Sequence, residues 1–413
     1  MKMKRKPQFM GAVRGRRVGV GEATRRHRER LLNALMDREQ LDALAFTTPD
    51  YFKFATHFTA DVSGFERPGI CVIPRSGSPF AILHELSINN WRFGLDAGRL
   101  WIADVSFYSE HPRVLNRLPL APQWNELVAE RLDAAGLHRA RIGTDGSSLM
   151  GIGRILPGLR VESVERQCRR LRWIKHPEEI GVMRAAASLA DWTQERYREA
   201  IRPGRLLQEL DAAMASQMAE EAARRMPGTD LAIYCWTLSG PASAAPHGAG
   251  SPFGNLAGAR VQQGDVLVNC VYPAIDGLFV ENERTWFCGK PTRRQAYLFE
   301  AALEANRAAC DAAVSGRCVW EIDAAAQSVF EKAGLGALIC HRTGHGLGLG
   351  GHDYPVDMAF NSSPMEDRMV FSVEPGIYEL GLGGFRIDDT VVVGKKPTIL
   401  TASPRDLKSQ TIV

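Results

Sequence analysis

The chain has no run of about 18 apolar residues, so nothing in it reads as a membrane-spanning helix. Its first thirty residues also lack the apolar core of a signal peptide. No two of its eight cysteines (71, 168, 235, 270, 288, 310, 318 and 340) form a C-x-x-C pair. Scattered single cysteines argue against a disulfide framework and suit a reducing cytosol, so a cytoplasmic protein is expected. General basicity is missing too. The first thirty residues hold eleven Lys and Arg against Glu22 and Glu29, a contribution of +9 to a net charge of +4, which leaves −5 for the remainder. Basic character confined to a tail gives no ground for a nucleic-acid groove, and residues 1–24 read as a basic, flexible leader. Neither a nucleic-acid nor a membrane partner is expected.

What remains is ordinary globular material: 413 residues, 45% hydrophobic and 24% charged, enough for two domains. Over residues 25–170 a helical stretch, RRHRERLLNALMDREQ, precedes short apolar runs, DALAFT, GICVIP and PFAILH. That alternation predicts a small α/β domain. His176-Pro177 then breaks the chain before a long helix, whose positive N-terminal end suits Glu178 and Glu179. Residues 171–413 contain a repeat: PGRLLQELDAA from Pro203 matches SGRCVWEIDAA from Ser315 at Gly204/Gly316, Arg205/Arg317, Glu209/Glu321 and Asp211/Asp323. Two amphipathic helix starts can match by chance. A duplicated α/β half, with a cleft between the copies, is the functional reading. The fold class is α/β (α+β).

Four stretches carry candidate chemistry. In CVYPAIDGLFVENERTWF, Asp276-Gly277 is a hairpin signal that pairs residue i with 553 − i. Cys270 then faces Glu283 and Tyr272 faces Glu281, all on one side of the sheet. That side is either solvated or a place where acids are paired, protonated or bound to a cation. HRTGHGLGLGGH places His341, His345 and His352 within twelve residues. Its glycines formally fit G-x-G-x-x-G, but no strand–turn–helix unit with a ribose-binding acid surrounds them. Glycines that let backbone pass close beneath a site leave the histidines exposed to it. MVFSVEPGIY and GGFRIDDTVVV put Glu374, Arg386, Asp388 and Asp389 within apolar strands, as inward carboxylates or as charges guarding an edge. SGPASAAPH ends a small-residue loop on His247.

In this order, these segments resemble the creatinase, aminopeptidase P and prolidase family of pita-bread hydrolases, over about residues 170 to 400 and more loosely before. The resemblance implies a small N-terminal creatinase-like domain, a duplicated pita-bread catalytic domain and a homodimer. Metallopeptidases of the family hold two divalent ions on two Asp, one His and two Glu. Here those positions are Cys270, Glu281, His345, Glu374 and Asp388, so three depart from the pattern. All five could still hold a cation, but a thiolate suits zinc or iron better than manganese or magnesium. Zn, Fe or Mn, as one or two ions, is the expected cofactor; a metal-free site is the alternative. Creatinases need no metal, and Glu283-Arg284-Thr285 and Phe65-Glu66-Arg67 resemble their substrate-binding segments.

The leading expectation is a hydrolase of a C–N bond in a small-molecule or short peptide substrate. His247, Glu283, Glu374 and His352 are its expected catalytic groups; Phe65, Arg67, His341 and Arg386 are expected to bind substrate. A metal-independent amidinohydrolase, in which Glu283 and Glu374 grip a cationic group and His247 shuttles protons, is the alternative. A lyase or a non-catalytic binding member of the fold is a further one.

Overall fold

The computed structural model describes residues 17–60, 66–111, 118–146, 149, 151–250 and 254–412. They divide into two units, one of residues 21–172 and the other of residues 173–412 with 17–20.

In the first unit, α1 (Glu22–Glu39) is the helix expected from RRHRERLLNALMDREQ. Strands β1 (Ala43–Phe46), β2 (Ile70–Pro74), β3 (Phe80–His84), β4 (Asp104–Tyr108), β5 (Arg141–Thr144) and β6 (Arg160–Ser163) form a mixed sheet in the order β4-β3-β2-β1-β5-β6. The first three are the apolar runs read from sequence. Helices α2 (Pro49–Thr56), α3 (Ile88–Asp96), α4 (Leu120–Ala134) and α5 (Glu165–Arg169) complete the unit. Trp124, Val128 and Leu132 of α4 bury against Ile70, Val72, Phe80 and Ile82 of the sheet. Burial of that apolar surface is the main drive for the unit to fold. Arg67 belongs here: its Nη2 is 2.7 Å from Glu110 Oε1. Phe65 lies outside the described residues.

Part of the expected leader, residues 17–24, is held in the fold. Residues 1–16 lie outside the described residues, but Val18 N donates to Thr229 Oγ1 at 2.9 Å and Val20 N to Asp276 Oδ2 at 2.8 Å. α1 begins at Glu22, so residues 17–24 are already committed to structure.

The second unit opens with α6 (Pro177–Ala200), capped by His176, whose N–H donates to Glu179 Oε2 at 2.7 Å. α7 (Leu207–Arg225) leads to strands β7 (Leu231–Ser239), β8 (Val266–Ile275), β9 (Leu278–Phe279) and β10 (Asn282–Cys288). Helices α8 (Arg293–Ala312) and α9 (Trp320–Lys332) lead to β11 (Gly344–Gly346), β12 (Val370–Val373), β13 (Gly376–Glu379), β14 (Gly383–Arg386) and β15 (Asp388–Val392). The main sheet runs β11-β12-β15-β10-β8-β7.

The repeat is a structural duplication and not a chance likeness. Gly204 and Gly316 both take left-handed backbone, at φ +83° and +90°. Gly204 N donates to Val261 O and Gly316 N to Met365 O, both at 2.8 Å. Leu207 N donates to Ala259 O and Val319 N to Ser363 O, both at 3.0 Å. Asp211 accepts from Thr237 N at 3.0 Å, as Asp323 does from Thr343 N at 2.7 Å. Each copy also sends a side-chain amide from its long helix into its sheet. Gln194 Nε2 donates to Asn269 O at 3.2 Å and Asn282 O at 2.9 Å. Asn306 Nδ2 donates to Val373 O at 3.0 Å and Ile387 O at 3.2 Å.

These amides satisfy buried main-chain carbonyls. Asn306→Ala therefore strands two carbonyls and removes an acceptor from Arg405 Nη1, 2.8 Å away. The expected loss is about 2–4 kcal/mol of unfolding free energy, read as a lower guanidinium midpoint; a loss under about 0.5 kcal/mol would contradict this role.

Candidate active site

The hairpin β8–β10 supplies the first wall of the site. Asp276 and Gly277 at its tip take positive φ, 54° and 80°, as a two-residue turn with the twist of its strands requires. Pairing follows the expected register, Cys270 opposite Glu283 and Asn282 opposite Val271. At Glu281 the ladder opens: its N–H donates to Thr390 Oγ1 of β15 at 3.0 Å instead of continuing along β8. Tyr272 and Glu281 both reach a cavity of about 880 Å³. His247, His341, Arg342, His345, His352, Glu374 and Arg386 also line it.

Three groups converge. His345 Nε2 lies 3.6 Å from Glu281 Oε2 and 3.5 Å from Glu374 Oε1. Its Nδ1 is 3.0 Å from Gly346 O, and a carbonyl only accepts, so the ring proton sits on Nδ1. Nε2 is thereby left to face two buried carboxylates. One ligand atom from each of Glu281, His345 and Glu374 lies within 4.8 Å of the others.

The surrounding charge is negative and uncompensated. Burial, then Asp388, Glu374 and Glu283, push the Glu281 carboxyl well above the usual range. Asp388 is raised in the same way, by burial and then Glu283, Glu374 and Asp389. Its Oδ1 accepts from Ser372 Oγ at 3.0 Å, while its buried Oδ2 has no partner among the described residues. For Glu374 burial acts upward, but the His345 ring and the Arg386 and His341 charges outweigh it and hold the group down at about 2. Two carboxylates and an imidazole nitrogen, with a third buried carboxyl beside them, fit one divalent cation such as zinc, iron or manganese.

Cys270 and Glu283 stand apart from this cluster. Arg386 Nη2 is 3.3 Å from Cys270 Sγ and 2.7 Å from Glu283 Oε1. Arg386 Nε and the Tyr272 hydroxyl also bond Glu283, which is fully buried and does not line the cavity. Burial and the Glu283 charge push the Cys270 thiol well up, against the thiolate a metal needs. A guanidinium thus occupies the neighbourhood where the Cys270 ligand position was expected, and like charge disfavours a cation beside it. The five expected ligand positions do not converge as one set; Asp388 also lies outside the three-residue cluster.

Among the other expected residues, His247 and His352 line the cavity, and the His352 ring stacks on His345 with centroids 3.6 Å apart. Burial, then the neighbouring His345 ring, lowers His352 to about 4, so it is neutral near pH 7. His341 has both ring nitrogens engaged, Nδ1 with Arg342 O at 2.7 Å and Nε2 with Tyr378 Oη at 2.8 Å. Arg386 is similarly committed, with Nη1 donating to Pro246 O at 3.2 Å and Tyr378 Oη at 3.3 Å. Sequence reading passed over Arg342, which stands inside the HRTGH segment itself, and Trp236 and Tyr378. Only hairpin pairing pointed to Tyr272; nothing local marked Trp236 or Tyr378.

This arrangement can be set beside known proteins. The model of metallopeptidase family M24 matches residues 181–395. A Mycobacterium bovis protein described as "Probable dipeptidase PepE" is 30% identical over 335 residues, 80% of this chain and 82% of its own. The chain belongs to metallopeptidase family M24. The crystal structure of dipeptidase PepE from Mycobacterium ulcerans superposes with a TM-score of 0.77 at 28% identity, over 95% of this chain and 100% of that one. An Xaa-Pro dipeptidase of Pyrococcus furiosus is 32% identical over 238 residues, 57% of this chain and 65% of its own. The creatinase, aminopeptidase P and prolidase resemblance, the pita-bread fold and membership of a peptidase-type hydrolase family all hold. No helix among the described residues is long and apolar enough to cross a membrane.

One acid in the M24 cavity wall is scaffolding. Asp211 accepts from Tyr197 Oη at 2.8 Å, Thr237 Oγ1 at 2.6 Å and Thr237 N, the last bond being the one Asp323 repeats in the other copy. Burial raises its carboxyl to about 6 despite these donors. A carboxyl with a raised folded pKa contributes stability below its unfolded pKa, near 3.8, and loses it as pH rises through the folded value. Between pH 4 and 6 the unfolding free energy of wild type should therefore fall relative to that of Asp211→Asn, measured by denaturant titration at each pH. Parallel curves would contradict the assignment.

Proposed function

We propose that this chain is a metal-dependent peptidase that hydrolyses the C–N bond of a short peptide, using one divalent cation held by Glu281, His345 and Glu374. The observation that carries the reading is the His345 ring, turned by Gly346 O so that its free nitrogen faces two carboxylates. When bound, the cation would supply Lewis acidity and a lowered water pKa. The chain's own residues supply the rest. Glu374, kept ionised, can accept a proton from the attacking water. His352, kept neutral, offers an N–H to developing oxyanion charge beside His345. His247, on the same wall, is the candidate donor to the leaving nitrogen.

The amidinohydrolase alternative asks Glu283 to grip a substrate cation. Arg386 and Tyr272 already hold that carboxylate, which argues against this reading.

Elemental analysis of protein as purified should find about one equivalent of transition metal, retained in Cys270→Ser and lost in His345→Ala. Chelation should abolish hydrolysis of unblocked dipeptides, and hydrolysis in heavy-oxygen water should place one label in the product acid. His247→Ala should lower kcat by about 100-fold or more with metal content unchanged. Full activity with less than about a tenth of an equivalent of metal would overturn the proposal.

A further inference from the structure

We propose that the free edge of β7 binds the main chain of a peptide substrate as an added strand. This rests on the peptidase reading for the identity of the occupant, but the geometry of the edge stands separately. Side chains alternate along a strand, so Ile233 and Cys235 project from one face of β7 and Tyr234 and Trp236 from the other. All four line the cavity, as do Ala212 and Ala215 of α7. A cavity that touches both faces of one strand runs along its edge. β7 has such an edge, because it ends the sheet order with β8 on its other side.

Pairing decides which main-chain groups face outward. Asp276 N donates to Asp230 O at 2.9 Å, so Ala232, Tyr234 and Trp236 bond β8, and the residues between them point away. Thr237 fits that phase: its N–H goes to Asp211 Oδ2 at 3.0 Å, and its carbonyl accepts from Asn255 Nδ2. Those two side chains close the edge at Thr237. At Ile233 and Cys235 it is open, with no partner for either outward N–H or carbonyl among the described residues.

Exposed edges are commonly blunted by lysine, proline or a bulge. LAIYCW, residues 231–236, has no such residue and pairs with β8 without interruption. Two donors and two acceptors at a two-residue period match an extended main chain, which offers the same groups at the same period. Side chains take no part in those bonds, so the edge reads peptide length and not sequence. Three strand spacings, about 14 Å, separate β10, which Glu281 adjoins, from a chain laid outside β7. Extended chain covers about 3.3–3.6 Å per residue, so the span takes roughly four residues. A dipeptide held at the Glu281–His345–Glu374 cluster falls short of the edge; a hexapeptide reaches it.

The test is calorimetry on the protein as purified, with Leu-Ala-Ala-Ala-Ala-Leu and Leu-Ala as probes. Each carries reduced amides at its terminal bonds, so that neither end is trimmed. The hexapeptide should bind about 10-fold or more tightly than the dipeptide. N-methylation of its third, fourth and fifth residues in turn should cost about 5-fold or more at one parity and under about 2-fold at the other. Ile233→Pro and Cys235→Pro each remove one outward N–H without breaking a ladder bond to β8. Each should weaken the hexapeptide about 5-fold and leave the dipeptide unchanged, with melting temperatures within about 2 °C of wild type as the check on folding. The N-methyl series on wild type decides the matter if the proline variants do not fold. The proposal is overturned by equal affinities for the two probes, by losses that do not alternate, or by folded proline variants that bind the hexapeptide as wild type does. A dimer lost in those variants with peptide affinity intact would give the edge to a second copy, and also overturn it. Alternating losses in a protein that hydrolyses no peptide would sink the peptidase reading and leave the edge standing. Dipeptide hydrolysis with no gain in affinity at hexapeptide length would do the reverse.

Discussion

The buried ion pair between Arg386 and Glu283 sets the character of the site. A guanidinium and a carboxylate removed from water are tolerated only when both are paired and their remaining polar atoms are bonded. Tyr272, Tyr378, Pro246 and Cys270 complete that shell. The pair therefore ties β10 to β14 and supplies a fixed positive charge to one side of the cavity. On the other side, Glu281, Glu374 and Asp388 form no ion pair with a Lys or Arg among the described residues. One pocket thus holds two unlike environments, and only the second calls for an ion.

Much of this was legible in the sequence. Asp276-Gly277 set the hairpin register correctly, because a positive-φ turn and period-two alternation leave little freedom. The repeat was visible through Gly204/Gly316 and Asp211/Asp323, residues whose backbone conformation and side-chain bonding are both demanding. The Gln194 and Asn306 amides of the same duplication were not visible, because they differ in residue type and lie among ordinary helical residues.

The candidate site was legible as a set of residues but not as a set of pairings. Cys270, Glu283 and Arg386 were all singled out, yet given separate roles; in the structure they bond one another. Alternation puts residues on a face, and only tertiary packing decides which opposite charges on that face meet. Arg342 was overlooked for the reverse reason: its neighbours His341 and His345 drew attention, and only the fold shows that its side chain lines the cavity.

The duplication has a consequence for how the molecule assembles. Glu281 comes from the first copy, whereas His345 and Glu374 come from the second, so neither half holds three donors alone. An ion bound there would act as a clasp between the copies, and its binding energy would add to their docking. Catalytic competence would then be a late event in folding, appearing only after both halves have formed and closed on each other.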